Sequence, residues 1–588
     1  MDRVQRRARL LATSAFVCMA TVGTAHAQAV GPQVAVDEPQ GAGADLSLYM
    51  PETSIDDPQI VVEGPGEGYT PQPGEPGSVY DNTVNVTGVG QFYNAGVGGV
   101  CTGTLINPRT VIFAAHCVND AEADSYGSNV GGTPAAFAFE ADALPGLQSW
   151  VRAGFVTDES RYVYNISQIL YNPESLANPD ARGFLEADIA LAALDTPASN
   201  VPTWALLFSA LPVPDSISSE DGTGYNVRVN GYGRSGVGET GDTNGIDFRR
   251  RAAENVVGIL GSLNDRNEWL FGPDDYGLPQ NLYQTDFDDP NRENQFDFNL
   301  FKDDARDPEG STAGGDSGGP LILTDTFDRE LVIGVLSGGS RFFQAQPSSS
   351  YGTSSIYQPL YAFWDWIAAN SPYRYTQTIA GDGAWTDPTH WETALDPNFF
   401  IIDDNGELVN GVPDTVGEGR DATSGKFGQV CDGLYCLDLA TRDIVDYEGN
   451  VIQPGNPDTN EEGGLDQNNL GKVDGLALLE AFTLQQGLDE PQDGQPVQLA
   501  AAVGEYVPGT SGYVPNNRDF NPALPDGTRQ DARYFDVTLA AAGTTTLNSS
   551  IEIDKLTIAG ADAALDIGSA GSLTSLMDVT QMAGRMNV

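Results

Sequence analysis

Between positions 84 and 232, short apolar runs alternate with turn residues: 84–89, 97–106, 111–115, 162–170, 189–194 and 227–232. Runs of this length and spacing predict the strands of an all-β sandwich or barrel. A different pattern begins at 534, where very short alternating segments (537–539, 544–547, 551–553, 556–558, 565–567 and 573–576) are separated by Gly, Asn, Asp or Ala. That predicts the opening coils of a parallel β-helix, in which each coil buries its apolar face only by stacking on the next. Residues 28–81 are rich in Pro, Gly and acid, as in Glu63-Gly64-Pro65-Gly66-Glu67-Gly68, and read as a disordered leader. Residues 373–533 carry few apolar runs and read as a Gly/Asp/Asn-rich linker or insert. After Pro359, the segment 360–367 has the spacing of a short amphipathic helix.

The first residues bear on compartment. Arg3, Arg6, Arg7 and Arg9 precede an apolar stretch, 10–22, and Ala25-His26-Ala27 has the form of a cleavage site before Gln28. Residues 1–27 therefore read as a signal peptide, with an apolar stretch too short to span a bilayer comfortably. Its removal takes away Cys18 and His26, leaving Cys101, Cys117, Cys431 and Cys436 and two histidines, His116 and His390. An even cysteine count in an exported chain predicts two disulfides. Net charge sharpens the choice of partner. With 82 acidic against 29 basic residues the formal charge is -53, which argues against nucleic acid and anionic membrane surfaces.

The candidate chemistry lies in Gly314-Gly315-Asp316-Ser317-Gly318-Gly319-Pro320. Glycines permit positive φ and close backbone approach, so the loop can present a serine hydroxyl and aim successive N–H groups at one point. A serine nucleophile needs a base, and His116 ends the apolar run 111–115 beside Cys117, which a hairpin can bring to Cys101. Asp188 opens the run 189–194, so its carboxylate is drawn inward, where it needs a partner such as an imidazole N–H. Asp180 and Asp195 compete for that role but adjoin proline-containing turns.

Ala114-Ala115-His116-Cys117, Asp188-Ile189-Ala190-Leu191 and Gly315-Asp316-Ser317-Gly318-Gly319-Pro320 resemble, in order, the three signature segments of the trypsin/chymotrypsin-like serine proteases. Cys101 and Cys117 match the disulfide that brackets the family's histidine, and Gly231-Tyr232-Gly233 is similar to its Gly-aromatic-Gly strand. The resemblance covers 82–372. It implies two packed antiparallel β-barrels closed by a C-terminal helix, with Ser317 as nucleophile, His116 as general base and then acid, Asp188 as the orienting carboxylate, and the N–H groups of Gly315 and Ser317 as the oxyanion hole. It also places Ser311 at the base of the substrate pocket, Ser337 and Gly339 on the segment that pairs with substrate, and Ser355 on the far wall. An uncharged pocket disfavours Lys and Arg, so cleavage of protein or peptide substrates after apolar or aromatic residues is expected.

Some features depart from the family. Its usual zymogen N-terminus is not visible near Val84, which leaves Asp316 without a partner in the sequence. The acidic insert containing Asp286-Phe287-Asp288-Asp289 has no complete calcium-ligand spacing and reads as a solvated loop. Cys431 and Cys436 predict a small loop-closing disulfide rather than zinc; no metal or cofactor is expected. The segment from Gly381 to Trp391 resembles an aromatic-anchored motif of bacterial autotransporter passengers, with His390 expected at the surface. Together with the short coils of 534–588, this implies a fragment of a surface-displayed or extracellular protein of a Gram-negative bacterium, whose outer-membrane translocator lies beyond this chain. A catalytically silent protease-like adhesin or an esterase are the competing readings.

Overall fold

Six strands close on themselves in the computed structural model, which describes residues 61–62, 84–176, 186–272, 278–343, 345–415, 424–455 and 506–588. The expected signal peptide, Asp180 and all of the leader except Val61–Val62 lie outside those residues. The closed barrel runs Val86–Asn94, Gly99–Asn107, Thr110–Phe113, Ala190–Leu194, Val163–Tyr171 and Ala135–Glu140, every neighbour antiparallel, with the last strand paired back onto the first. Phe92, Phe113 and Phe137 meet inside it with ring centres 5.4 to 5.5 Å apart, which suits aromatic quadrupoles. Alanines at 135, 190 and 192 are buried around them and leave the rings their space. Five of these strands coincide with the apolar runs of the sequence. The strand Ala135–Glu140 does not, because its alternate alanines carry little β-propensity.

A second antiparallel sheet follows, in the order Arg251–Val256, Asn226–Gly231, Pro320–Leu323, Leu331–Ser340, Ser354–Pro359, Asn281–Asp286 and Ile259–Ser262. Among the described residues it is an open path, extended by Phe427–Cys431, Cys436–Asp438, Ile444–Val445 and Val451–Gln453. The two sheets share one core, in which Ile106, Ile112 and Leu191 of the barrel join Val229, Ile322 and Val335 of the second sheet. Leu360 and Ile367, from a 3-10 turn and the helix Trp364–Asn370, complete that core. Both expected disulfides form, Cys101–Cys117 and Cys431–Cys436.

The chain then enters three parallel ladders. One stacks Tyr373–Thr378, Tyr534–Leu539, Lys555–Ile558 and Val579–Gln581; another stacks Gly383–Ala384, Gly543–Leu547, Ala563–Ile567 and Arg585–Asn587. Ser550–Ile553 pairs with Ser572–Ser575 in the third. Trp385, Trp391, Val537, Ile553, Leu556 and Leu565 fill the space between them.

Strand pairing crosses the expected boundaries at three places. The first strands of the parallel stack come from 373–384, far ahead of 534 and within the region 373–533 expected as a linker or insert. Its segment 427–453 belongs to the second sheet, and Phe399–Ile402 pairs in parallel with Leu206–Leu207. Val61–Val62 of the supposed leader is a strand, antiparallel to Gly310–Ser311.

Barrel and parallel stack are joined by a buried ion pair. Arg109, in the turn before Thr110–Phe113, donates from Nε and Nη2 to the two carboxylate oxygens of Asp554 at 2.7 and 2.8 Å and covers the Tyr534 ring at 3.9 Å. Neither side chain is open to solvent. Removing one member of such a pair strands the other charge in a low-dielectric interior. Asp554→Ala is therefore expected to lower the denaturant-unfolding free energy by about 3–5 kcal/mol. A loss below about 1 kcal/mol, the size of an exposed pair, contradicts this account of the joint.

Candidate active site

The strand register dictates where His116 and Asp188 meet. Thr110–Phe113 pairs with Ala190–Leu194, Phe113 opposite Ala190, so the residues beyond each strand end converge. His116 lies on the 3-10 turn Ala115–Cys117, pinned to the neighbouring strand by Cys101–Cys117. Ala187, in the left-handed region at φ 52, bends the chain just before Asp188. Asp188 is 0 % exposed and both of its oxygens accept from His116: Oδ1 from the backbone N–H at 2.8 Å and Oδ2 from Nδ1 at 2.7 Å. Holding Nδ1 as the donor presents Nε2 as the basic atom. The competing Asp195 instead accepts from Thr157 and Asn165.

The serine loop is pressed against the same barrel strands. A Cβ on Gly318, whose φ is +84, would stand 2.3 Å from the Thr102 carbonyl oxygen and 2.8 Å from the nitrogen of Ala114. Only glycine permits that approach. Thr102 ties the contact together: its N–H donates to the Ser317 carbonyl at 2.8 Å, and its hydroxyl donates to the Gly315 carbonyl at 3.0 Å and accepts from the N–H of Tyr232 at 3.1 Å. Nothing in the sequence singled out Thr102, because its three partners come from distant segments. Ser317 is 8 % exposed, while the His116 side chain is only 1 % exposed, with its Nε2 buried.

Within the loop, the N–H groups of Asp316, Gly318 and Gly319 donate to the carbonyls of Ala313, Leu336 and Asp316. Those of Gly315 and Ser317 have no protein acceptor among the described residues. Asp316, whose partner the sequence did not name, is held by backbone amides. Gly233 donates to one oxygen at 2.7 Å and Ala313 to the other at 2.9 Å. Gly231 and Gly233 are obligatory here, since a Cβ on either would lie within 2.7 Å of the Asp316 carboxyl carbon.

Gly339 faces Ser355 across paired strands, and Ser311 lies in Gly310–Ser311, whose hydroxyl is 3.5 Å from that of Thr353. Their side chains are engaged: Ser355 Oγ lies 2.8 Å from Thr312 Oγ1, and Ser337 Oγ accepts from Gln358 at 3.0 Å. No cation or carboxylate of the chain takes part in these contacts. The sulfurs beside His116 are covalently paired, which removes them as metal ligands. His390 is not at the surface: it is buried, with Nε2 2.9 Å from Thr545 Oγ1 and its ring against Trp391, because the parallel stack folds over it.

Compared with known proteins, the chain matches no family model and no curated sequence.

Burial pushes the Asp316 carboxyl up to about 6 from an ordinary 3.8, against the opposing pull of the two amides and of Arg251. The folded state thus favours the protonated form. Its contribution, roughly 3 kcal/mol at 1.36 kcal/mol per unit, is complete below the unfolded value and is lost as pH rises through about 6. Unfolding free energies of the parent chain relative to Asp316→Asn are expected to fall by about that amount between about pH 4 and 7; a flat difference contradicts the assignment.

Proposed function

We propose that the chain is an exported serine endopeptidase of the trypsin/chymotrypsin type. The observation that carries the reading is the pair of hydrogen bonds from His116 to buried Asp188, with the Ser317 loop docked on the same strands. In this reaction His116 Nε2 takes the Ser317 proton as Oγ attacks the scissile carbonyl, and later returns it to the leaving amine. Asp188 keeps the ring in the required tautomer and stabilises the imidazolium. The amides of Gly315 and Ser317 receive the developing oxyanion, each such donor lowering the barrier by about 2.7–4 kcal/mol. Water then hydrolyses the acyl-enzyme by the same route.

The closed barrel and the antiparallel sheet sharing its core correspond, in this reading, to the family's two barrels with the site in their cleft. The parallel ladders are the first coils of a β-helix, as in an autotransporter passenger. The stalk holds the protease away from the surface of a Gram-negative cell, and a translocator domain belongs to the whole protein. The neutral pocket of Ser311, Ser337, Gly339 and Ser355 supports preference for apolar or aromatic residues, since a buried Lys or Arg of the substrate finds no counter-charge there.

Cleavage of a random peptide library tests both parts. Products ending in apolar or aromatic residues, absent with Ser317→Ala, are expected. A profile dominated by Arg and Lys overturns the pocket reading, and cleavage that survives Ser317→Ala, or turnover of esters without peptides, overturns the endopeptidase reading.

A further inference from the structure

The acidic insert, which the sequence marks as a solvated loop, is folded inward. Asp286, at the end of the strand Asn281–Asp286, together with Asp288, Asp303 and Glu309, forms a group of carboxylates each at least 96 % buried. Oxygens of Asp286, Asp288 and Asp303 all lie within 4.8 Å of one another. That is the span of two ligands on one calcium ion at about 2.3–2.6 Å each.

The neighbours account for much of the group but not all. Asp286 accepts from the N–H of Phe301 at 2.9 Å, and Glu309 accepts from those of Asp288 and Arg306 at 2.8 and 2.6 Å. Both oxygens of Asp288 meet the Arg292 guanidinium, which also reaches Asp297 at 3.1 Å. Arg306 turns its guanidinium toward Asp221, and Lys302 faces Asp438, Asp446 and Glu448 instead. Asp303 is satisfied only in part: it is 3 % exposed and its side chain shares a hydrogen bond with Asp288, but its Oδ1 has no hydrogen-bond partner among the described residues. A buried acceptor left without a donor is costly, and here it stands among like charges. Among the described residues Arg292 bonds Asp288 and Asp297 while Arg306 turns toward Asp221, so these carboxylates outnumber the cations that meet them.

We infer that Asp286, Asp288 and Asp303 form a calcium site, with Asp303 Oδ1 as a ligand and Arg292 as the outer clamp on Asp288. Carboxylate oxygens are the ligands a hard cation takes. The irregular loop suits the flexible coordination of calcium better than the near-ideal octahedron that magnesium demands. The site would brace the substrate pocket from behind. Asp286 pairs with Ser354, next to Ser355, and Glu309 is two residues before Ser311.

The test uses the full chain stripped with chelator, titrated with CaCl2 in a calorimeter and melted with and without CaCl2 or MgCl2. One equivalent of calcium is expected to bind and raise the melting temperature, with a smaller effect of magnesium. Asp303→Asn is expected to abolish the calcium shift and, in chelator, to melt at or above the parent chain because a buried like charge is gone. Asp304→Asn, whose side chain is 63 % exposed, is expected to keep the shift. Absence of calcium heat or of a calcium shift in the parent chain overturns the inference, as does an equal magnesium shift or a full calcium shift in Asp303→Asn. The parent titration decides even where a variant does not fold.

Discussion

A carboxylate with no access to water must be satisfied by protein, and Asp188 is satisfied by His116 twice over. The backbone bond fixes where the turn Ala115–Cys117 sits, and the ring bond fixes how the imidazole is turned. Both depend on the antiparallel register of Thr110–Phe113 and Ala190–Leu194, and so on the closure of the barrel. The cost of burying Asp188 thereby becomes a reason for the site to be rigid. Preorganised groups of this kind spend no reorganisation energy when charge develops.

The second sheet supplies what the barrel lacks. Its loop reaches the barrel through Thr102, which bonds two carbonyls of the serine loop and the Tyr232 amide. Asp316 then folds the loop back onto Gly233 and Ala313, and the Gly315 and Ser317 amides have no protein acceptor among the described residues. Buried Asp188 holds the His116 turn, and buried Asp316 holds the Ser317 loop. Two acids of the same chemistry thus have separate roles, set by what donates to them.

Local pattern was enough for most of the barrel, because alternation and β-branching mark strands whose partners are near in sequence. It singled out His116, Asp188 and Ser317 because each sits at a strand end or in a glycine-crowded turn. It failed where partners are distant. The first layer of the parallel stack, Tyr373–Thr378, pairs with Tyr534–Leu539 across more than 150 residues, and no local period announces that. Thr102 and His390 look ordinary until the segments that bury them are in place. The acids of 286–309 looked solvated because charge predicts exposure only when no cation or amide waits inside.

The proposed endopeptidase activity rests on a Ser317 hydroxyl activated by the His116–Asp188 pair. Incubation of the folded chain with a fluorophosphonate, followed by mass mapping of the adduct, measures that activation without any assumption about substrate. One adduct is expected, on Ser317, and it disappears in His116→Ala while the chain stays folded. No adduct on Ser317 in the folded parent chain, or undiminished labelling in His116→Ala, would contradict it.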